Sequence, residues 1–167
     1  VIVVPELFPK ITGNQAKDSK GYPGTVVEVH KTDFGISKIK EILLNKYPWL
    51  FLDYVINIEP GKHVVARKNF TYNEEYFPAH FPGAPSVPGF IQIESCMQAF
   101  LLTFLSLDGY NKRETADRLL DNVLVKRQIL PGDVLEIRAE LTSFSRGIAK
   151  GRVESFVDGE SAVSFDV

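Results

Sequence analysis

Hydrophobic and polar positions divide the chain into two groups of strand-like segments, separated by one long apolar segment. In the first group, Phe51–Glu59 and His63–Phe70 are rich in β-branched and aromatic residues. Between them, Glu59-Pro60-Gly61-Lys62 places proline and glycine where a type II turn prefers them. The second group predicts four strands joined by turn sequences, over Val123–Ile129, Asp133–Phe144, Ile148–Val157 and Ser161–Val167. Tight turns between consecutive strands favour antiparallel pairing.

Helical spacing of apolar residues occurs twice. Over Gly35–Leu44 it predicts a short amphipathic helix that ends before Pro48. The long apolar segment begins at Pro88, expected in the first helical turn, and continues to about Leu107, which is roughly 27 Å of helix at 1.5 Å per residue. Because this helix is apolar on nearly every side, it must be enclosed. The pattern therefore predicts an α+β fold in which an antiparallel β-sheet wraps a long central helix.

The first 34 residues have no such pattern and are predicted to be an N-terminal extension to a single domain over 35–167. Within the extension, Asn14–Gly24 reads as a polar loop and Val26–Val29 as a short strand. The start of the chain has no basic region followed by a long apolar one, so it is not typical of a secretory signal. We expect a cytoplasmic protein.

Composition and charge exclude several classes of protein. The 167 residues are 44% hydrophobic, which is enough to close one core. Lys plus Arg is 19 against 21 for Asp plus Glu, so no basic surplus favours nucleic acid. The long apolar helix carries Gln92, Glu94 and Gln98, which are costly in a bilayer, so no membrane span is expected.

The single cysteine and the three histidines argue against disulfide and metal chemistry. Cys96 has no partner for an internal disulfide and is expected to be a small buried hydrophobe. His30, His63 and His80 are far apart in the sequence, and no metal site is expected. We assign no role to His30 or His63.

The candidate chemistry lies in Tyr76–Gln98, which reads YFPAHFPGAPSVPGFIQIESCMQ. Four prolines in its first half fix the backbone, so the loop is expected to be rigid. His80 is the titratable residue of this loop and a candidate for proton transfer. A purely structural or solvated histidine is the alternative.

Glu94 is the second candidate, because it lies five residues into the buried helix. On a helical wheel it shares a stripe with four other residues, which are Ile91, Gln98, Leu101 and Leu105. Poor solvation there raises a carboxyl pKa, and Gln98 is one turn away, within hydrogen-bonding reach. The alternative is that Glu94 pairs with a basic residue from a strand. An imidazole, a neutral carboxylic acid and the free N–H groups at Pro88-Gly89 together suit proton abstraction next to a carbonyl.

Residues 45–167 resemble the FabZ-type 3-hydroxyacyl-[acyl carrier protein] dehydratases, which have the hotdog fold. Five segments carry the resemblance in the family's order: YPWLFLD (Tyr47–Asp53), IEPGK (Ile58–Lys62), HFPGAPSVPG (His80–Gly89), the pair Glu94 and Gln98, and DNVLVKRQILPGD (Asp121–Asp133). The spacing between His80 and Glu94 also matches. Together these segments span about three quarters of the chain.

The resemblance implies a reaction and its residues. His80 would be the catalytic histidine and Glu94 the catalytic carboxylate, contributed by opposite subunits of a homodimer. The N–H of Gly89 would bind the thioester oxygen, with Val87 and Gln98 beside the substrate. The reaction would remove water from an (R)-3-hydroxyacyl thioester to give the trans-2-enoyl thioester. It needs no metal or redox cofactor.

The resemblance also implies partners. The substrate would arrive on acyl carrier protein or coenzyme A, and assembly of three dimers is left open. Lys126 and Arg127, with Arg146 and Lys150 nearby, can steer an acidic carrier protein to the tunnel mouth, although a solvated strand end is as good a reading. Three residues are candidates for the tunnel wall, although plain core is the preferred interpretation for each: Phe51, Phe90 and Met97.

The chain departs from the family at several positions. Asn45 stands where many members have histidine, and Ala79 replaces the glycine before His80. Ala84-Pro85-Ser86-Val87 replaces the commoner Arg/Asn-Pro-Val-Met. Two other functions stay open: a hotdog acyl thioesterase, and a non-catalytic subunit that binds acyl carriers.

Overall fold

In the computed structural model, which describes residues 33–117 and 119–167, seven strands form one antiparallel sheet beside a long helix. The order of strands across the sheet is β1-β2-β3-β5-β6-β7-β4. The elements in chain order are β1 (Phe34–Gly35), α1 (Ile36–Ile42), β2 (Tyr54–Glu59), β3 (His63–Asn69), α2 (Gly89–Leu105), β4 (Asp121–Val125), β5 (Val134–Ser145), β6 (Ile148–Val157) and β7 (Glu160–Asp166).

Both helices and the strands predicted within these residues are confirmed, with shifts at their ends. The largest shift is in β4, which was expected over Val123–Ile129 and is found over Asp121–Val125. It ends early because the carbonyl of Ile129 accepts a hydrogen bond from Val87 instead of from a strand. The strand predicted at Val26–Val29 lies outside the described residues.

The sheet wraps α2, as the apolar character of the helix predicted. Twelve of the 17 residues of α2 are buried, and the helix packs against β3, β5 and β6. On β5, Leu135, Ile137 and Ala139 are buried, and the residues between them point away from the helix. No helix among the described residues is long and apolar enough to cross a membrane.

Gly151 allows the helix to approach the sheet closely. A Cβ atom at this position would lie 2.1 Å from the Glu140 carbonyl oxygen and 2.4 Å from the Phe100 ring. A side chain here would push Phe100 away from the sheet, and overpacking of this kind typically costs about 1–3 kcal/mol. The missing side chain therefore sets the distance between α2 and β6.

Two details of α2 refine the expectations. Pro88 is the N-cap with extended backbone and Gly89 the first helical residue, so the proline lies one position before the expected first turn. Cys96 is fully buried, and burial raises the pKa of its thiol to about 12. It packs as the small inert hydrophobe that its sequence context predicted.

Candidate active site

Glu94 is half-buried on α2, and two amide groups hold it. Gln98 Nε2 donates a 2.7 Å hydrogen bond to Glu94 Oε1, and Asn45 Nδ2 approaches the same oxygen at 3.4 Å. Among the described residues, neither oxygen of Glu94 has a cation within salt-bridge distance. No basic residue of the described strands therefore pairs with Glu94 within one protomer.

Gln98 is fixed in the orientation that serves Glu94. Its Oε1 accepts the Phe51 N–H at 2.8 Å, and its Nε2 also donates to the Trp49 carbonyl at 2.9 Å. Since a backbone N–H only donates, the bond to Phe51 forces the Nε2 end of the amide toward Glu94. The polar atoms of Gln98 are thus engaged within the protein, and its expected contact with substrate stays a prediction.

Burial raises the pKa of Glu94, and the nearby charge of Asp117 raises it further. The two amide donors act in the opposite direction because they stabilise the carboxylate. Both donors bind Oε1, and Oε2 has no hydrogen-bond partner among the described residues. In the neutral acid, Oε1 is therefore the carbonyl oxygen and Oε2 carries the proton.

A cleft of about 480 Å³ opens beside Glu94. One wall is apolar and is formed by Leu44 with three residues of α2, which are Met97, Leu101 and Leu105. The opposite wall is polar, formed by residues between α2 and β4: Arg113, Glu114, Thr115 and Asp117. Of the stripe predicted on α2, Glu94, Leu101 and Leu105 line the cleft. Ile91 and Gln98 are buried and do not line it.

His80 is held in the loop before α2 by its own neighbours. Its Nδ1 lies 2.9 Å from the Ser86 carbonyl oxygen, and the Ser86 N–H donates to the His80 carbonyl at the same distance. A carbonyl oxygen only accepts, so the neutral imidazole carries its proton on Nδ1. The lone pair of Nε2 is then available to take a proton.

Free N–H groups and open space meet at the start of α2. Within the described residues, the N–H groups of Gly89 and Phe90 make no hydrogen bond, whereas those of Ile91 and Gln92 donate to Pro88. Nothing lies within 4 Å of the place where a Cβ of Gly89 would stand. The positive end of a 17-residue helix thus faces a space in which a partly negative oxygen is stabilised.

The structure does not bring His80 and Glu94 together within one chain. His80 does not line the Glu94 cleft, and the two side chains share no hydrogen bond. Glu94 faces the segment before β4, whereas the His80 loop joins the segment after β4 through Val87 and Ile129.

The comparisons with known proteins decide the family. A family model described as a FabA-like domain matches residues 43–166. The chain is 36% identical over 133 residues to a 3-hydroxyacyl-[acyl-carrier-protein] dehydratase FabZ of Clostridium novyi, covering 80% of this chain and 94% of the relative. It is 40% identical over 125 residues to the FabZ of Listeria welshimeri, covering 75% of this chain and 87% of the relative.

This chain belongs to the FabA-like family. The hotdog fold is confirmed by solved structures such as the dehydratase heterocomplex ApeI:P from Xenorhabdus doucetiae. That structure has a TM-score of 0.63 at 19% identity and covers 77% of this chain and 86% of its own. The matched residues 43–166 include every candidate site residue.

Two residues of this FabA-like site were not assigned from the sequence. Asn45 was noted only as a departure from the family, yet its amide reaches Glu94 from 49 positions away. Asp117 was not singled out, and no periodic pattern marks it, because it lies outside the regular elements. Only the folded chain places these residues beside the carboxyl.

Other expectations about the site have mixed outcomes. Met97 lines the cleft, whereas Phe51 is plain core and Phe90 is exposed at the helix start. Val87 is buried, and its N–H is bonded to Ile129.

The four basic residues do not form one patch in a protomer. Lys126 and Arg127 follow β4 near the His80 loop and pair with Glu154 and Glu160, respectively. Arg146 and Lys150 lie in the β5–β6 hairpin, where Phe144 packs on Phe104 near the other end of α2. The two pairs therefore lie at different places on the sheet, and Glu154, the partner of Lys126, is four residues from Lys150 along β6.

Glu94→Gln is expected to change how stability depends on pH. The raised pKa means that folded Glu94 binds its proton more tightly than in the unfolded chain, where the pKa is about 4.3. The stability contributed by Glu94 is therefore complete below that value and is lost as pH rises through the folded pKa. Between pH 4 and 8, the melting temperature of the variant should rise relative to that of the wild type as the pH rises. A constant difference would contradict the raised pKa.

Proposed function

We propose that this FabA-like protein is a 3-hydroxyacyl-[acyl carrier protein] dehydratase of fatty acid or related acyl-chain biosynthesis. It removes water from (R)-3-hydroxyacyl thioesters and forms trans-2-enoyl thioesters. The observation that carries the proposal is a half-buried carboxyl with a raised pKa, held by Gln98 beside a cleft that has one apolar wall. FabZ relatives at 36–40% identity support the same reaction.

His80 is the base of the proposed reaction. Its Nε2 takes the proton from C2 of the substrate, since Nδ1 is engaged with the Ser86 carbonyl. The electron pair released at C2 delocalises toward the thioester carbonyl, and the N–H groups at Gly89 and Phe90 stabilise the charge on that oxygen.

Glu94 is the acid of the proposed reaction. Its proton on Oε2 is transferred to the C3 hydroxyl, the C3–O bond breaks, and water leaves as the C2–C3 double bond forms. The acyl chain lies along the apolar wall formed by Met97, Leu101 and Leu105. Afterwards Glu94 is ionised and His80 protonated, and exchange with solvent restores both for the next turnover.

Two protomers complete each site in this proposal. Within the described part of the chain, the edge strand β4 pairs with β7 alone, and three of its residues are exposed: Val123, Leu124 and Val125. An exposed apolar edge strand is a ready template for pairing with another chain. The Glu94 cleft borders the segment before β4, and the segment after β4 joins the His80 loop.

Antiparallel pairing of β4 with its copy explains how the two halves meet. A twofold axis across β4 places the start of one strand beside the end of the other. The Glu94 cleft of one protomer then adjoins His80 of the partner. Three further points stay predictions: the substrate carrier (acyl carrier protein or coenzyme A), the assembly of three dimers into one particle, and a cytoplasmic location.

Replacing His80 by Ala or Glu94 by Gln should each lower the turnover of enoyl-thioester hydration, the reverse reaction, by at least about a hundredfold. Loss of enoyl absorbance measures the rate, and circular dichroism controls for folding. A thiol reagent in a parallel assay would detect the free thiol that a thioesterase releases. Near-normal hydration in either variant would remove that residue from the mechanism, and thiol release without hydration would favour the thioesterase.

Mixing the two inactive variants should restore activity. In a heterodimer, Glu94 of the H80A chain meets His80 of the E94Q chain, so one site of two is intact. Complete exchange at equal amounts makes half of the dimers mixed, and we expect about a quarter of wild-type turnover. If both groups of a site come from one chain, verified heterodimers stay inactive.

Leu124→Glu should produce an inactive monomer, because it places a charge on the proposed pairing edge of β4. Ile148→Glu is the matched control, since Ile148 is similarly exposed but lies in the β5–β6 hairpin. Sedimentation should show a monomer only for L124E, with hydration reduced at least about a hundredfold. A dimeric, active L124E would exclude pairing through β4.

A further inference from the structure

Lys68 is the one charged residue classed as buried among the described residues. It lies on β3, and its side chain is 9% exposed. Its Nζ donates to Glu74 Oε1 at 2.7 Å and to the Asn69 carbonyl at 2.8 Å. The ammonium also lies 3.8 Å from Asp53 Oδ2 and 5.4 Å from the centre of the Phe70 ring.

The desolvation of the buried Lys68 ammonium must be offset by what its contacts do for the structure. Removing a lysine from water is costly unless partners replace its hydration, and an apolar residue of similar size is often as stabilising. An ion pair fixes the position of one particular partner group, which an apolar residue does not do. Lys68 ties the last part of β3 to one point in the loop that follows, at Glu74.

Glu74 starts the hydrogen-bonded turns that lead to His80. Its N–H donates to Thr71, its carbonyl accepts the N–H of Phe77, and the His80 N–H donates to Tyr76 at 2.8 Å. Beyond His80, the loop is held by Ser86. The loop segment that carries the His80 imidazole is therefore fixed on one side by Ser86 and on the other by the Lys68–Glu74 ion pair.

A second carboxylate fixes the base of the same anchor. Asp53 Oδ2 accepts the Asn69 N–H at 2.6 Å, next to Lys68 on the chain. The Phe70 N–H then donates to the Asp133 carbonyl at 3.0 Å. The backbone at the end of β3 is thus fixed by hydrogen bonds to Asp53 and Asp133 before the loop begins. Within the loop, Lys68 then binds the side chain of Glu74.

We propose that Lys68 and Glu74 are positioning residues for His80, and that their ion pair sets the place of the imidazole in the reaction. The inference rests on the proposed function, in which His80 is the base. A displacement of about 1 Å at a reacting group can cost on the order of a hundredfold in rate. Neither residue lines the Glu94 cleft, so we expect the loss of their ion pair to change kcat rather than KM.

Lys68→Met tests this role against Arg67→Met as a matched control. Arg67 is the neighbouring residue on β3 and forms a comparable ion pair, 3.1 Å from Glu136 on β5, which contacts no part of the loop. Both variants lose one partly or fully buried cation from the same strand. We expect K68M to lower the kcat of enoyl-thioester hydration at least about tenfold with KM within about twofold, and R67M to keep both near wild type.

Glu74→Leu provides a second variant that does not depend on the folding of K68M. It should lower kcat to the same degree, and the double variant should be no worse than either single one, because both residues act through one contact. All rates are measured well below each variant's melting temperature. Wild-type kcat in K68M or E74L, or an equal loss in R67M, would overturn the proposal.

A readout independent of activity separates this inference from the proposed function. The chain has three histidines, and His80→Ala identifies the imidazole signal of His80 in a proton NMR spectrum. That signal should move in K68M and E74L and stay in place in R67M. If wild-type protein hydrates no enoyl thioester, the proposed function fails, while an unmoved His80 signal in K68M and E74L would by itself reject the positioning role.

Discussion

The structure depends on enclosing a carboxyl-bearing helix within a sheet. Burial of α2 closes the core, and it also places Glu94 where water only partly solvates it. An apolar surrounding makes ionisation of the carboxyl costly and raises its pKa. The amides of Gln98 and Asn45 donate to one oxygen of Glu94, so the half-buried carboxyl is not left without hydrogen bonds. The packing that stabilises the fold therefore also raises the pKa of Glu94, the proposed acid.

The proposed acid and the proposed base do not share a cleft within one chain. Glu94 faces residues that precede β4, and His80 is bonded through its loop to residues that follow β4. If the two residues act as proposed, a monomer with this topology holds two half-sites near opposite ends of the exposed edge strand β4. Twofold pairing of that strand would join unlike ends, so that dimerisation and catalysis would become one requirement.

The sequence predicted what local pattern determines. Apolar periodicity was sufficient for α2, and turn residues were sufficient for the antiparallel meander of β5, β6 and β7. His80, Glu94 and Gln98 were found because proline density and helical spacing mark them. Asn45 and Lys68 depend on contacts that the pattern does not encode: one crosses 49 residues to reach Glu94, and the other is a lysine that strand alternation alone would not place in the core.

The hydrogen bonds of Glu94 also bear on which reaction the fold performs. A thioesterase needs an ionised carboxylate to activate water, whereas dehydration needs a neutral acid that releases a proton to the leaving hydroxyl. Burial raises the pKa of Glu94, and the like charge of Asp117 acts in the same direction, so the pKa stays raised although the two amide donors stabilise the carboxylate. Both amides bind Oε1, so the proton is directed to the unoccupied Oε2. A hotdog protein with these contacts is suited to donating a proton rather than to activating water, and the FabZ relatives agree with that preference.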